Sequence, residues 1–175
     1  MDKVQLARLV QWAGDRGVQG RKRLQKVVYL LQAAGCPLDV DFILHHYGPY
    51  SRDVADVCDE MVAEGLLTEQ VELSSVKQYT YTLPAATARL LEQIASTAPD
   101  RTASLDLFRG FAGELFAAPL WSLELGSTIV YYHALGEDWA GATRRACEFK
   151  KVPVEDGGTR AAADIARKVA EGKAC

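Results

Sequence analysis

The chain has 175 residues, 49% of them hydrophobic and 25% charged, the size and apolar content of a single domain with a proper core. Twenty Lys and Arg stand against 23 Asp and Glu, a formal charge of −3, so no overall positive field draws the chain onto nucleic acid or an anionic membrane. Apolar stretches such as 27–31 and 127–135 fall well short of the roughly 20 residues of a membrane span, and the opening MDKVQLARLVQW has no signal-peptide core. A cytoplasmic protein with no membrane partner is expected. Four cysteines, Cys36, Cys58, Cys147 and Cys175, form no C-x-x-C and no Cys/His spacing suited to zinc; reduced thiols, no metal and no cofactor are expected.

Residues 3–14 set Val4, Leu6, Leu9, Val10 and Ala13 on a helical stripe that the Gly14-Asp15-Arg16-Gly17 cluster ends. From 21 to 34, Leu24, Val27, Val28, Leu31 and Ala34 recur at three and four, and Gly35 with Pro37 stops this second helix. Residues 42–47 read as a short extended segment closed by Gly48-Pro49. Ser51 as N-cap and Asp53 in the first turn predict a third helix reaching about Gly65. Segments 66–73 and 76–83 flank Ser74-Ser75 in the pattern of a β-hairpin, and Pro84 opens the next helix. Further helical patterns cover 84–96, 105–118, 119–135, 139–150 and 159–171. The predicted fold is mainly α (α+β). A winged-helix-like part with a β-hairpin wing spans 1–98, and an all-helical second half, 99–175, packs on it or continues it.

In 119–135 the apolar side chains run round most of the helix, so burial on nearly all sides is expected. Glu124 lies inside this run and needs a charged or hydrogen-bonded partner, which favours a structural ion pair over a catalytic acid. No Gly-rich phosphate loop, H-E-x-x-H or G-x-S-x-G is present; no catalytic residue is assigned, and the chain is read as non-enzymatic. His45 and His46 are adjacent on an extended segment, point to opposite faces, and are read as one packed and one solvated ring. His133 is read as a hydrogen-bonded helix-end residue. Gly48, Pro49 and Ser51 are explained by turn and cap chemistry, with Tyr47 and Tyr50 as flanking packing anchors.

Arg16, Arg21, Lys22, Arg23 and Lys26 are five basic residues within eleven positions. A helical wheel places Lys22 and Lys26 on an exposed face with Gln25 and Tyr29, opposite Leu24, Val28 and Leu31. The patch Arg21, Lys22, Arg23 and Lys26 is therefore a candidate for phosphates or an acidic partner. On the third helix Val54, Val57, Cys58, Met61 and Val62 fill one arc of about 140°, and Asp53, Asp56, Glu60 and Glu64 an adjoining arc of about 80°. That acidic face is the candidate protein-binding surface. It repels a phosphate backbone, leaves only Arg52 to reach base edges, and suits a basic protein surface or imitates the charge array of nucleic acid.

The run Gly20-Arg21-Lys22-Arg23-Leu24-Gln25-Lys26-Val27-Val28-Tyr29-Leu30-Leu31-Gln32, followed by His46-Tyr47-Gly48-Pro49-Tyr50-Ser51 and Gly65-Leu66-Leu67, resembles the SocA/Panacea and YwgA-like group of bacterial proteins. It is also similar to the C-terminal module of antitoxins that pair a macrodomain with such a domain against a DNA-modifying toxin. The resemblance covers about residues 20–70; Leu120-Trp121-Ser122-Leu123-Glu124-Leu125 is similar to the second half of YwgA-like proteins. It implies a non-enzymatic module that binds protein. Members neutralise toxins, and one is an adaptor delivering its toxin to a protease. The family's recurring residues fall on Leu24, Gln25, Lys26, Tyr29, Tyr47, Gly48, Pro49 and Tyr50. The chain is expected to stand alone, unlike the fused antitoxins, and its partner need not be a toxin. The alternative is a DNA-binding transcriptional regulator, or another nucleic-acid-binding component of a toxin-antitoxin or phage-defence system, with the second-helix cations and Lys77 of the wing on phosphates. The exposed surfaces would permit a dimer.

Overall fold

The computed structural model describes residues 1–73 and 77–172. Asp2 launches the first helix through a capping box: its carboxylate accepts from Gln5 N at 2.8 Å while Gln5 Oε1 accepts from Asp2 N at 2.8 Å. Helix α1 (Lys3–Trp12) then buries Leu6, Ala7, Leu9 and Val10. After a 3-10 turn, Gly14–Arg16, comes β1 (Val18–Gln19), a two-residue strand too short to show alternation in the sequence. Helix α2 (Arg21–Ala33) follows, and all eight residues from Leu24 to Leu31 are buried.

The chain next forms a hairpin, β2 (Ile43–His45) with β3 (Gly48–Tyr50), registering Ile43 opposite Tyr50 and His45 opposite Gly48. This corrects the expectation that Gly48-Pro49 ends an extended segment. The reversal is made by His46-Tyr47, and Gly48-Pro49-Tyr50 is itself the return strand. Proline is tolerated because both strands of a two-stranded ribbon are edges. Gly48, at φ 94°, is required where it stands: a Cβ there would lie 2.7 Å from Thr128 Oγ1 and 3.3 Å from Glu124 O.

Helix α3 (Arg52–Ala63) starts at Ser51, whose hydroxyl accepts from Val54 N at 3.4 Å, and buries Val54, Cys58 and Met61. Strands β4 (Thr68–Leu73) and β5 (Lys77–Thr82) pair antiparallel, and β1 adds to the free edge of β5 to give the order β1-β5-β4. The expected turn residues Ser74 and Ser75 lie outside the described residues.

The second half is all helical: α4 (Ala85–Thr97), a 3-10 turn at Pro99–Arg101, α5 (Ala103–Asp106), α6 (Arg109–Ala117), α7 (Leu120–Ala134), α8 (Trp139–Lys150) and α9 (Gly157–Gly172). The single helix expected over 105–118 is two, because the chain breaks at Leu107-Phe108, leaving Leu107 exposed while Phe108 packs on the core. Helix α7 is buried from Ser122 through Val130 and lies against α2, β3, α8 and α9. One hydrophobic cluster runs through both halves. Arg8 clasps Asp106 with two hydrogen bonds of 2.8 and 2.7 Å, and Arg23 Nη1 donates to Phe116 O at 3.0 Å and Ala118 O at 2.6 Å. Among the described residues no helix is long and apolar enough to cross a membrane.

Candidate functional site

The entry of α2, the β2–β3 hairpin, α3 and β5 enclose a cavity of about 210 Å³. Leu24, Val54, Ala55 and Cys58 supply its apolar lining; Arg21, Lys22, Lys26 and Asp59 are the charged groups on it. Tyr47, Gly48 and Tyr50 border it from the hairpin, and Tyr81 from β5.

Two buried polar side chains of α2 hold this arrangement. Gln25 makes two hydrogen bonds to the backbone of Ser51, its Nε2 donating to Ser51 O at 2.9 Å and its Oε1 accepting from Ser51 N at 2.9 Å, so the residue that caps α3 is pinned to α2. Lys26, only 2% exposed, donates from Nζ to Pro49 O at 2.6 Å. Burial pushes the Lys26 ammonium down to about 8, against the attraction of Glu124 and with the help of Lys150 and Lys22. The expected exposed face of Lys22, Gln25, Lys26 and Tyr29 is therefore corrected. Gln25, Lys26 and Tyr29 are buried, because α2 is covered by the hairpin, α3 and α7 rather than by one neighbour.

Behind the hairpin lies a charge cluster. Glu124 Oε2 is 3.5 Å from Lys150 Nζ and Glu124 Oε1 is 3.9 Å from Lys22 Nζ; the Glu124 and Lys150 side chains are 10% and 7% exposed. The partner that Glu124 needs is thus supplied by α8 and α2. Burial lowers the Lys150 pKa and Glu124 opposes that shift. Lys22 Nζ also sits 3.4 Å from the centre of the Tyr47 ring.

The four second-helix cations do not form one patch. Arg21 pairs with Asp59 at 3.1 Å and Glu69 at 3.0 Å. Arg23 turns inward to the carbonyls of Phe116 and Ala118 at the end of α6, Lys26 is buried, and Lys22 leans on Tyr47. The acidic residues do share one surface: Asp53, Asp56, Glu60 and Glu64 are all exposed on α3. Arg52 pairs with Asp56 at 2.9 Å, Lys3 pairs with Glu64 at 2.6 Å and Glu60 at 3.5 Å, and Asp53 has no ion pair among the described residues. Sequence reasoning omitted Asp59, which extends this set to the cavity, although its place three residues after Asp56 is the signal that would have found it. It also missed Tyr81 and Lys150, which carry no local signal.

His45 and His46 are both exposed, which corrects the expected packed ring; His45 lies tilted against Tyr50 and also borders the cavity, and His46 meets Tyr47 edge-on. His133 Nδ1 donates to Glu137 O at 2.7 Å and its ring stacks on Trp139. Cys36, Cys58 and Cys147 are buried free thiols, and burial pushes Cys36 up to about 12 and Cys58 up to about 11. Cys175 lies outside the described residues.

No family model matches the chain. The chain is similar to the uncharacterized protein YwgA of Bacillus subtilis (strain 168), 29% identical over 134 residues that make up 75% of this chain and 76% of that protein. This similarity supports the YwgA-like part of the resemblance.

Proposed function

We propose that the chain is a non-enzymatic protein-interaction module of the SocA/Panacea antitoxin or adaptor type, working in the cytoplasm on a winged-helix-like frame. It docks a basic partner protein, such as a toxin, on the outer face of α3. The observation supporting this reading is the ridge of exposed carboxylates at Asp53, Asp56, Glu60 and Glu64, whose counter-ions Arg52 and Lys3 are themselves surface groups. Such pairs are weak and exchange readily for a partner's lysines and arginines. Ile43, 64% exposed, stands opposite Tyr50 just ahead of the α3 cap, placing an apolar contact beside the charged ones.

The regulator reading has less to support it. Phosphate binding needs exposed, uncommitted cations, and Arg21, Arg23 and Lys26 are engaged with carboxylates or carbonyls of this same chain. The experiment is co-purification of the tagged chain from its own host at native level and moderate salt. A stoichiometric protein without nucleic acid is expected, and combined Asp53→Asn, Asp56→Asn, Glu60→Gln and Glu64→Gln substitution should weaken it roughly tenfold or more. Nuclease-sensitive nucleic acid with no protein would move the regulator reading to first place.

A further inference from the structure

The cavity between α2, the hairpin and α3 has a use that partner docking on α3 does not require. Its charged groups divide into two sets. At one end Arg21 faces two carboxylates, Asp59 and Glu69, at 3.1 and 3.0 Å, so that end has no surplus positive charge. At the other end Lys22 and Lys26 share a single carboxylate, Glu124, which Lys150 also claims at 3.5 Å. Three ammonium groups face one carboxylate where two of the three lysines are almost entirely buried. Lys26 donates to only one acceptor, Pro49 O, among the described residues, although an ammonium carries three donors. Surplus positive charge away from water is costly, and an entering anion relieves it.

The rest of the lining narrows the anion. Leu24, Val54, Ala55 and Cys58 form an apolar wall that offers nothing to the several oxygens of a phosphate; of the polar neighbours, Gln25 is committed to Ser51 and the Tyr81 hydroxyl to Glu69, which leaves His45, Tyr47 and Tyr50 along the hairpin side. The volume, about 210 Å³, exceeds the roughly 150 Å³ cavity that accommodates benzene, leaving room for one ring or branched chain and a carboxylate. Asp59 and Glu69 together outnumber Arg21 and repel a carboxylate from that end, which fixes the orientation. Tyr47, 44% exposed with Lys22 on its ring, stands at the rim on the hairpin turn.

We propose that this cavity binds a small organic acid with an aromatic or branched apolar body, its carboxylate toward Lys22 and Lys26 and its body against Leu24, Val54 and Ala55. The proposal is independent of the docking reading, since its probe is a small molecule and its variants lie on α2. The test is calorimetric and NMR titration of the full chain at pH 7 and constant ionic strength. The probes are benzoate, phenylacetate and isovalerate, with benzamide as the uncharged counterpart and inorganic phosphate as the charge alone. At least one acid should saturate with Kd below about 1 mM, benzamide and phosphate should bind at least about tenfold more weakly, and Lys22→Gln should cost a similar factor. Lys26→Met, with its thermal midpoint checked, should abolish saturation; half-exposed Lys22 keeps the test decisive if Lys26→Met does not fold. Benzamide binding as tightly as benzoate, phosphate binding as tightly as any acid, or no saturation with any of the three acids overturns the proposal.

Discussion

Helices α2 and α3 lie side by side, each carries several charged residues, and they dispose of them in opposite ways. On α3 the charges stay in water, because the helix covers the core with one face and leaves the other open. On α2 the charges turn toward the protein: Arg23 and Lys26 donate to backbone carbonyls, Arg21 pairs with carboxylates, and Lys22 leans on a tyrosine ring near Glu124. A charged side chain on a wheel therefore marks a surface only when the helix has a single neighbour.

The largest break in this contrast comes from Glu124→Gln. It removes the counter-charge of Lys150, Lys26 and Lys22 while leaving the cations in place, and should cost about 3–5 kcal/mol in denaturant unfolding. The next is a pH effect at Lys26, which Glu124, Lys150 and Lys22 all face. Its folded-state pKa of about 8 lies below the ordinary 10.5, so between those values the unfolded chain holds the proton that the folded chain has released. Unfolding takes up a proton there, and stability rises with pH across the window by about 3 kcal/mol. Below pH 8 both states are charged and the folded state bears the full cost. Chemical denaturation at pH 7.5 and 10 should show the rise in the parent and a smaller one in Lys26→Met, where only Lys150, its pKa also lowered by burial, still contributes.

Gln25→Ala should cost about 2 kcal/mol, since it strands the buried amide and carbonyl of Ser51, and hydrogen exchange at the first turn of α3 should quicken with it. The smallest expected effect is the combined neutralisation of Asp53, Asp56, Glu60 and Glu64. It should leave the denaturation midpoint near the parent's, whatever it does to a partner, because these pairs are solvent-exposed. A large loss of stability there would show that α3 uses its charges as α2 does.

The same contrast explains what could be read from the sequence. The third helix, its Ser51 cap and its acidic arc are local properties, and all are in place. Helix α2 was legible as a helix but not in its orientation to solvent. What buries Gln25 and Lys26 are acceptors at Ser51 and Pro49, more than 20 residues away, and α7, about a hundred residues along, covers the hairpin behind them. That Glu124 needs a partner followed from its position in an apolar run; that Lys150 is the partner followed from nothing local. The cavity was invisible for the same reason, although Gln25, Lys26, Tyr47, Gly48 and Tyr50 had each been singled out. Read singly they explained packing and turns, and only their convergence makes a concave site.

Every residue lining the cavity falls between positions 21 and 81, so by address the site belongs wholly to the first half. By mechanics it does not. Gly48 rests against Thr128 and Glu124 of α7, and Lys26 shares that carboxylate with Lys150 of α8. A fragment ending at residue 98 would retain the whole inventory of the cavity and the Gln25 and Lys26 contacts that join α2 to the hairpin, but not the helices behind it. The hairpin would lose its seat, and the buried ammonium its counter-ion. The site is not portable, and the helical second half serves it as a foundation does a room.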